Sequence, residues 1–328
     1  MVIPERGLIW CPNAKVGSTT MVGVLPLLID PNASARPQTR RLVERGSLVH
    51  HGVALGRLRK NLQPADRHRV VFASEMEKAA RQELCTSGRA VTFTTVRSPW
   101  DRMASAYLSK VADGSEGNGV DTSIIRDFLG MPAGKPIPFD AFLEFVSKQP
   151  DEKINIHFMP QSFRCGVGMG HYLIESHIDS GSFADDVKLI LRSLGESEDL
   201  FKEDQHRRGT EECGQSKLCT ANLEAQIGPK ATWIGNGTGE IARKLYKSRP
   251  DLAEIVRQRY ADDAKLLGYA WPRHVDPLPR TIRPAEDTIL NQGKDCTCTV
   301  DPVAVPALAE RPAPTTPRQE TRFLFLLG

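Results

Sequence analysis

The segment Pro12-Asn13-Ala14-Lys15-Val16-Gly17-Ser18-Thr19 combines residue types that bind phosphate. It follows a short β-rich run and precedes an apolar run, which is the pattern of a strand that turns into a helix. Such a turn points several backbone N–H groups at one place, and the helix dipole favours negative charge there. Lys15 adds a positive charge, Gly17 allows close approach of the backbone, and Ser18 and Thr19 add hydroxyl donors. The segment therefore predicts a phosphate-binding loop.

The position of the lysine distinguishes this loop from that of a nucleoside-triphosphate enzyme. A Walker loop has the pattern Gly-x-x-x-x-Gly-Lys-Ser/Thr, in which the lysine directly precedes a metal-holding hydroxyl. Here Lys15 precedes Val16-Gly17-Ser18 instead. The spacing indicates a phosphate site without a magnesium ligand, and it argues against a kinase-like enzyme.

A second segment of the same kind begins at residues 90–96, an apolar and β-rich run that Arg97 follows directly. Ser98-Pro99 then gives the pattern of a helix start, a capping residue followed by proline in the first turn. Open parallel sheets bind ligands at the carboxyl ends of their strands, where Arg97 lies. Arg97 and Ser105 are therefore candidates for a second phosphate. The alternative for Arg97 is an interior ion pair with Asp101.

These segments resemble the Golgi-type carbohydrate sulfotransferases of sulfotransferase family 2, in the chondroitin 4-O and HNK-1 branch. Four motifs occur in the family's order. Residues 12–19 resemble the 5′-phosphosulfate loop, and residues 96–107 resemble the 3′-phosphate motif V-R-x-P-x-x-R-x-x-S-A-Y/F. His157-Phe158-Met159-Pro160-Gln161 with Cys165 is similar to the H-W-x-P-Q…C segment, and residues 260–269 are similar to the closing helix Y-x-x-D-x-x-x-F-x-Y.

The resemblance implies a P-loop-like, three-layer α/β fold with a central parallel sheet flanked by helices. It implies an enzyme that transfers a sulfuryl group from 3′-phosphoadenosine 5′-phosphosulfate (PAPS) to a sugar hydroxyl by in-line displacement, with no metal. The residues expected to bind PAPS are Pro12, Lys15, Val16, Gly17, Ser18, Thr19, Arg97 and Ser105, and Lys15 is also expected to act in catalysis. A degenerate member that binds the nucleotide or a glycan without turnover is the alternative.

The general base that accepts the acceptor's proton stays open at this point. His51, in His50-His51-Gly52, resembles loosely the His-Gly-His segment of uronyl 2-O-sulfotransferases. His157 lies in a stronger motif, although that segment can equally shape the site. Glu75 would correspond to the glutamate base of some heparan sulfotransferases, and it is equally an ordinary acid in the first turn of a helix.

The alternation of strand-like and helix-like segments favours an α/β fold with a parallel sheet on its own account. Predicted strands are 8–11, 70–73 and 90–96. Predicted helices are 18–28, 75–85, 100–110, 139–148, 183–194, 238–247 and 252–267. Residues 112–138, rich in Gly, Asp and Pro, predict a long loop or an insertion on the acceptor side. We expect residues 1–272 to form the catalytic domain and the Pro-rich residues 273–328 to form a mostly disordered tail.

Charge and composition bear on the partners. The net charge is +3, yet nine Lys and Arg residues lie from Arg36 to Arg69, against Glu44 and Asp66. A solvated charged face is the simple interpretation. In a sulfotransferase the stretch would suit a glycan acceptor, such as an anionic polysaccharide, or the nucleotide. Aromatic residues do not interleave with these charges, which disfavours nucleic acid.

The compartment is inferred from the family rather than from a visible signal. No apolar run approaches the roughly 18 residues of a membrane span, so we expect membrane attachment only through an N-terminal anchor that this chain lacks. The resemblance implies the Golgi lumen, and Asn32 and Asn236 begin glycosylation sequons. Seven cysteines permit disulfides, in which Cys213 and Cys219 pair with each other or one of them pairs with Cys165.

Overall fold

The computed structural model describes residues 1–16, 21, 25, 28–29, 69–71, 75–77, 79–80, 83–84, 90–113, 122–168, 172–179, 183–201, 217–229, 238–270 and 281–282. The strands are β1 (Val2–Ile3), β2 (Leu8–Cys11), β3 (Val91–Val96), β4 (Ile174–His177) and β5 (Thr281–Ile282). The helices are α1 (Pro99–Lys110), α2 (Thr122–Leu129), α3 (Phe139–Ser147), α4 (Gln161–Cys165), α5 (Phe183–Ser193), α6 (Lys217–Ile227), α7 (Thr238–Lys247), α8 (Pro250–Arg259) and α9 (Ala261–Leu266). None of the helices in this part of the chain is long and apolar enough to cross a membrane.

The strands form one sheet in the order β1-β2-β3-β4-β5. β2, β3 and β4 run parallel, whereas β1 and β5 pair antiparallel at the two edges. All six residues of β3 are buried, as expected for the middle strand of a parallel sheet with both faces covered. The predicted mixed α/β fold with a parallel sheet is confirmed.

The register of the sheet places the carboxyl ends of β2, β3 and β4 side by side. Cys11 pairs with Thr94, and Val96 pairs with His177. The chain therefore leaves β2, β3 and β4 at the same edge of the sheet. The segments that follow these three strands meet at this edge, which is where open α/β sheets bind their ligands.

The buried apolar residues of the described part form three clusters, two of them large, and the small third one includes Val96 and Cys165 at this edge. The first large cluster covers the sheet, where Trp10 and Phe93 stack with ring centroids 5.9 Å apart. The second surrounds α1, whose Trp100 and Tyr107 are fully buried against the other helices. The Tyr107 hydroxyl donates to the Ile137 carbonyl at 3.0 Å, so burial of this tyrosine leaves no lost hydrogen bond.

Several predicted elements match the structure closely. β2 coincides with the predicted strand, β3 begins one residue later than predicted, and α1 begins at Pro99, directly after Ser98. Of the strand predicted over 70–73, Val71 forms a single antiparallel bridge with Val2, and residues 72–73 lie outside the described part. The predicted helices 18–28 and 75–85 are only partly described, with helical residues at 21, 25, 28–29, 79–80 and 83–84.

Two predictions about the remaining elements need correction, and one strand of the sheet was missed. The long loop predicted over 112–138 contains α2, because the apolar residues from Ile124 to Leu129 recur with helical spacing between flanks rich in glycine and proline. The helix predicted over 252–267 breaks at Tyr260, whose hydroxyl is bound to the Phe158 carbonyl. β4 was not predicted at all, since three of its four residues, Glu175, Ser176 and His177, are polar and give no apolar run.

The segment predicted as a tail contributes β5 to the sheet, through pairs of Ile174 with Ile282 and of Glu175 with Thr281. The other residues of 273–328 lie outside the described part. The division into a catalytic domain and a disordered tail stays a prediction.

The alternative in which Cys213 or Cys219 pairs with Cys165 is wrong, because Cys165 is bonded to Cys11 across 154 residues of chain. Cys219 is also in a disulfide, whose partner lies outside the described residues. The Cys11–Cys165 bond joins the end of β2 to the end of α4. It therefore connects two segments that border the ligand edge of the sheet.

The Cys11→Ser/Cys165→Ser double variant should lose stability, because closing a loop of this length restricts the unfolded chain. We expect the free energy of unfolding to fall by about 2–5 kcal/mol in urea denaturation under non-reducing conditions. An unchanged free energy of unfolding would contradict a stabilising role for the bond.

Candidate active site

The predicted phosphate loop leaves β2 with an unusual backbone conformation. Lys15 has a φ of 66°, and it is the one non-glycine with positive φ among the described residues. The left-handed conformation costs an ordinary residue about 1–2 kcal/mol, so it persists only where the surrounding contacts hold it. Ala14 and Val16 on either side are fully buried. The turn at Lys15 is therefore fixed by its neighbours in the fold.

Three arginines hold the carbonyl groups of this loop. Arg164 Nε of α4 donates to the Pro12 carbonyl at 3.1 Å, and Arg102 Nε of α1 donates to the Ala14 carbonyl at 2.9 Å. Arg97 Nη1, just after β3, donates to the Lys15 carbonyl at 3.5 Å. The carbonyl oxygens of the loop would repel an anion. Their binding to arginine side chains reduces this repulsion.

The same arginines give the loop a strongly positive surrounding. Burial lowers the pKa of Arg102, Tyr260 and Asp263 partly offset this shift, and the nearby Arg97 lowers the pKa by a smaller amount. Burial also lowers the pKa of Arg164 to about 10, with a smaller contribution from Arg102. Arg102 Nη1 is buried and has no hydrogen-bond partner in the described part of the chain. Closely spaced cations that disfavour one another's charge are stabilised when an anion binds among them.

Arg97 is fixed at both its backbone and its side chain. The Gln161 side chain accepts from the Arg97 N–H at 3.0 Å and donates to the Arg97 carbonyl at 2.8 Å. Arg97 Nε donates to Asp179 Oδ1 at 3.2 Å. The predicted alternative of an ion pair with Asp101 named the wrong carboxylate. Asp179 follows β4, a strand that sequence reasoning missed.

Lys15 Nζ donates to Ser109 Oγ of α1 at 2.5 Å. Ser105, the residue predicted for the second phosphate, is half-buried one helical turn earlier. Positions four apart lie on the same face of a helix. The structure therefore adds Ser109 to the set of candidate residues, and its spacing from Ser105 was the signal in the sequence.

His157, the candidate base, lies in the segment before α4 and is almost fully buried. Its Nδ1 lies 2.6 Å from Asn155 Oδ1, which also accepts from the His157 backbone N–H at 3.0 Å. The backbone donor identifies the facing Asn155 atom as the oxygen, and an amide oxygen only accepts. The neutral ring therefore carries its proton on Nδ1 and its lone pair on Nε2.

Asp263 supports the segment that carries Gln161. Its buried carboxylate accepts from the backbone N–H of Gln161 and of Ser162, both at 2.7 Å, and from Ser162 Oγ at 2.6 Å. These contacts bind the first turn of α4, a carboxylate position that the helix dipole also favours. Asp263 belongs to the closing motif of the sequence, residues 260–269. The contribution of that motif here is therefore to hold α4 in place.

Several of the predicted site residues lie in parts of the chain that the structure does not describe. Gly17, Ser18, Thr19 and His51 lie outside the described residues, as do the asparagines of both sequons and most of the basic stretch. Arg69, at the end of that stretch, pairs with Glu5 at 2.6 Å. Glu75 is described and is exposed. The described residues contain no group of three or more His, Cys, Asp or Glu side chains arranged to hold a metal ion.

Comparison with known proteins agrees with this arrangement. The family model described as "Sulfotransferase family" matches residues 1–270. No curated protein and no solved structure matches the chain. Because the match covers most of its length, the chain belongs to the sulfotransferase family, whose members transfer a sulfuryl group from PAPS.

Proposed function

We propose that this chain transfers the sulfuryl group of PAPS to a hydroxyl group of a carbohydrate. The observation that carries the proposal is the pair of cationic groups after two neighbouring parallel strands, Lys15 after β2 and Arg97 after β3. PAPS carries a phosphosulfate at its 5′ end and a phosphate at its 3′ end. Two cations held at adjacent strand ends suit a nucleotide that is charged at both positions.

The residues take separate roles in this proposal. Pro12, Lys15 and Val16, with Gly17, Ser18 and Thr19, bind the 5′-phosphosulfate, while Arg97 and Ser105 bind the 3′-phosphate. In the transfer, the bond from sulfur to the 5′-phosphate oxygen breaks and a bond to the acceptor oxygen forms. Lys15 stabilises the charge that develops on the leaving oxygen, an effect that one such donor typically supplies at a few kcal/mol.

The acceptor proton passes to a base, for which we propose His157. The contact with Asn155 leaves Nε2 as the basic nitrogen, which is the arrangement that a general base requires. His51 is the second candidate.

The acceptor is proposed to be a glycan, including the anionic polysaccharides that the chondroitin 4-O branch modifies. The basic stretch from Arg36 to Arg69 supports an anionic acceptor by its charge. A place in the Golgi lumen agrees with the disulfides of Cys11–Cys165 and Cys219, since oxidising compartments preserve such bonds.

Lys15→Ala should lower the rate of sulfate transfer by about 100- to 1000-fold, because it removes the cation that stabilises the leaving group. The measurement is transfer of labelled sulfate from PAPS to a panel of desulfated glycans. Transfer by the wild-type chain to none of these glycans, with the nucleotide still bound, would favour the degenerate alternative.

Two further variants control the lysine experiment. Lys15→Gly should lose transfer to the same extent, yet unfold with a free energy about 1 kcal/mol above that of Lys15→Ala, since glycine adopts positive φ freely. Lys148→Ala, which removes an exposed lysine paired with Glu144, should keep full activity. Transfer by Lys15→Ala at nearly the wild-type rate would refute the assigned role.

Arg97→Ala should weaken binding of 3′-phosphoadenosine 5′-phosphate by about 10- to 100-fold, because hydrogen bonds to charged groups contribute 1.5–3 kcal/mol each. Isothermal titration calorimetry measures this affinity directly. Arg192→Ala removes an arginine from an exposed pair with Glu198 and should leave the affinity unchanged. An unchanged affinity in Arg97→Ala would remove Arg97 from the nucleotide site.

His157→Gln should reduce kcat by about 100-fold or more, because a positioned base contributes a factor of this size. Nucleotide affinity should stay within about twofold of wild type, since the proposal places His157 on the acceptor side. Single-turnover sulfate transfer with saturating PAPS separates the two effects. If His157→Gln turns over at the wild-type rate, the base is a different residue, and His51→Gln becomes the next variant.

A further inference from the structure

We propose that Asp179 is a positioning residue that orients Arg97 for the 3′-phosphate of the donor. The inference rests on the proposed function, in which Arg97 binds that phosphate. Asp179 lies two residues beyond the end of β4, beside the ligand edge of the sheet. It belongs to none of the motifs that the sequence resemblance covers.

The Asp179 carboxylate binds two consecutive residues, Arg97 and Ser98, in the turn between β3 and α1. Asp179 Oδ1 accepts from Arg97 Nε at 3.2 Å, and Oδ2 accepts from the Ser98 backbone N–H at 2.6 Å. Only 6% of the Asp179 side chain and 13% of the Arg97 side chain are exposed. Solvent therefore screens the pair weakly, so the contact strongly restricts the direction of the guanidinium.

The contacts leave one edge of the guanidinium for a ligand. Arg97 Nε is bound to Asp179, and Nη1 is bound to the Lys15 carbonyl. The backbone of Arg97 is fixed by Gln161 at the same time. Nη2 has no hydrogen-bond partner among the residues that the structure describes. A guanidinium bound along its Nε side presents its remaining N–H groups in a fixed direction, which suits a phosphate.

A further layer of side chains holds the carboxylate itself. The Tyr269 hydroxyl lies 3.5 Å from Asp179 Oδ2 and 2.9 Å from His177 Nδ1. Both His177 and Tyr269 pack at the end of β4, with their rings 5.4 Å apart. Asp179 is thus held between the hydroxyl of one segment and the backbone N–H of another, and its direction is fixed before a ligand binds.

Two physical effects of Asp179 predict opposite results. As a counter-charge it reduces the positive charge of Arg97, so its removal would strengthen binding of every phosphate-containing nucleotide. As a positioning residue it fixes the guanidinium, so its removal would weaken binding only of nucleotides with a 3′-phosphate. The comparison of two nucleotides therefore separates the two effects.

The test uses 3′-phosphoadenosine 5′-phosphate and adenosine 5′-phosphate, which differ only in the 3′-phosphate. Calorimetry gives the affinity of each for the wild-type chain and for Asp179→Asn, in which the side-chain oxygen can still accept from Ser98. We expect Asp179→Asn to lose about tenfold or more of the preference for the bisphosphate. Affinity for adenosine 5′-phosphate should stay within about twofold of wild type.

Three variants serve as controls. Asp186→Asn alters another buried aspartate, which accepts from Ser176 Oγ at 2.7 Å, and it should keep the preference. Arg97→Ala/Asp179→Asn should show the same preference as Arg97→Ala, because the effect passes through Arg97. Asp179→Glu keeps the charge and moves the carboxylate by one methylene, so it should also lose the preference. This variant provides the test if Asp179→Asn fails to fold.

The outcomes distinguish the inference from the function on which it rests. A wild-type chain with no preference for the bisphosphate would overturn the role of Arg97, and the role of Asp179 with it. A wild-type preference that persists in Asp179→Asn or in Asp179→Glu would overturn the inference alone. Tighter binding of both nucleotides by Asp179→Asn would overturn it as well, in favour of a counter-charge.

Discussion

The structure depends on the hydrogen bonds that arginine side chains donate to the backbone carbonyls of the loop after β2. The guanidinium groups that bind the carbonyls of Pro12, Ala14 and Lys15 come from residues 152, 88 and 82 positions away in the sequence. The conformation of the loop is therefore a property of the tertiary fold. It forms only when α1 and α4 pack against the ligand edge of the sheet, which explains how Lys15 is kept at positive φ.

This arrangement concentrates positive charge in a buried place. Lys15, Arg97, Arg102 and Arg164 all contact the loop or belong to it, and the carboxylates of Asp179 and Asp263 offset only part of their charge. A cluster of cations lowers the stability of the free protein and raises its affinity for an anion. Natural sites often retain such local conflicts because the ligand relieves them.

The sequence predicted the parts of the site that depend on local pattern. A strand followed by Lys15, and a strand followed by Arg97 and Ser98-Pro99, each have a signal within a dozen residues. The partners of these residues have no such signal. Asp179 follows β4, a short strand of mostly polar residues, and Cys165 could not be matched to Cys11 across 154 residues from spacing alone. Composition also misled where glycine and proline surround the short helix α2.

The short helix α4 shows how tightly the parts of the site are interlocked. Gln161 holds Arg97, Ser162 contacts Asp263, Arg164 holds Pro12, and Cys165 is bonded to Cys11. Insertion or deletion of one residue before this helix would rotate it by about 100° and move every one of these side chains away from its partner. The structure therefore tolerates a change of side chain at the exposed Phe163 far more readily than a change in the length of this stretch.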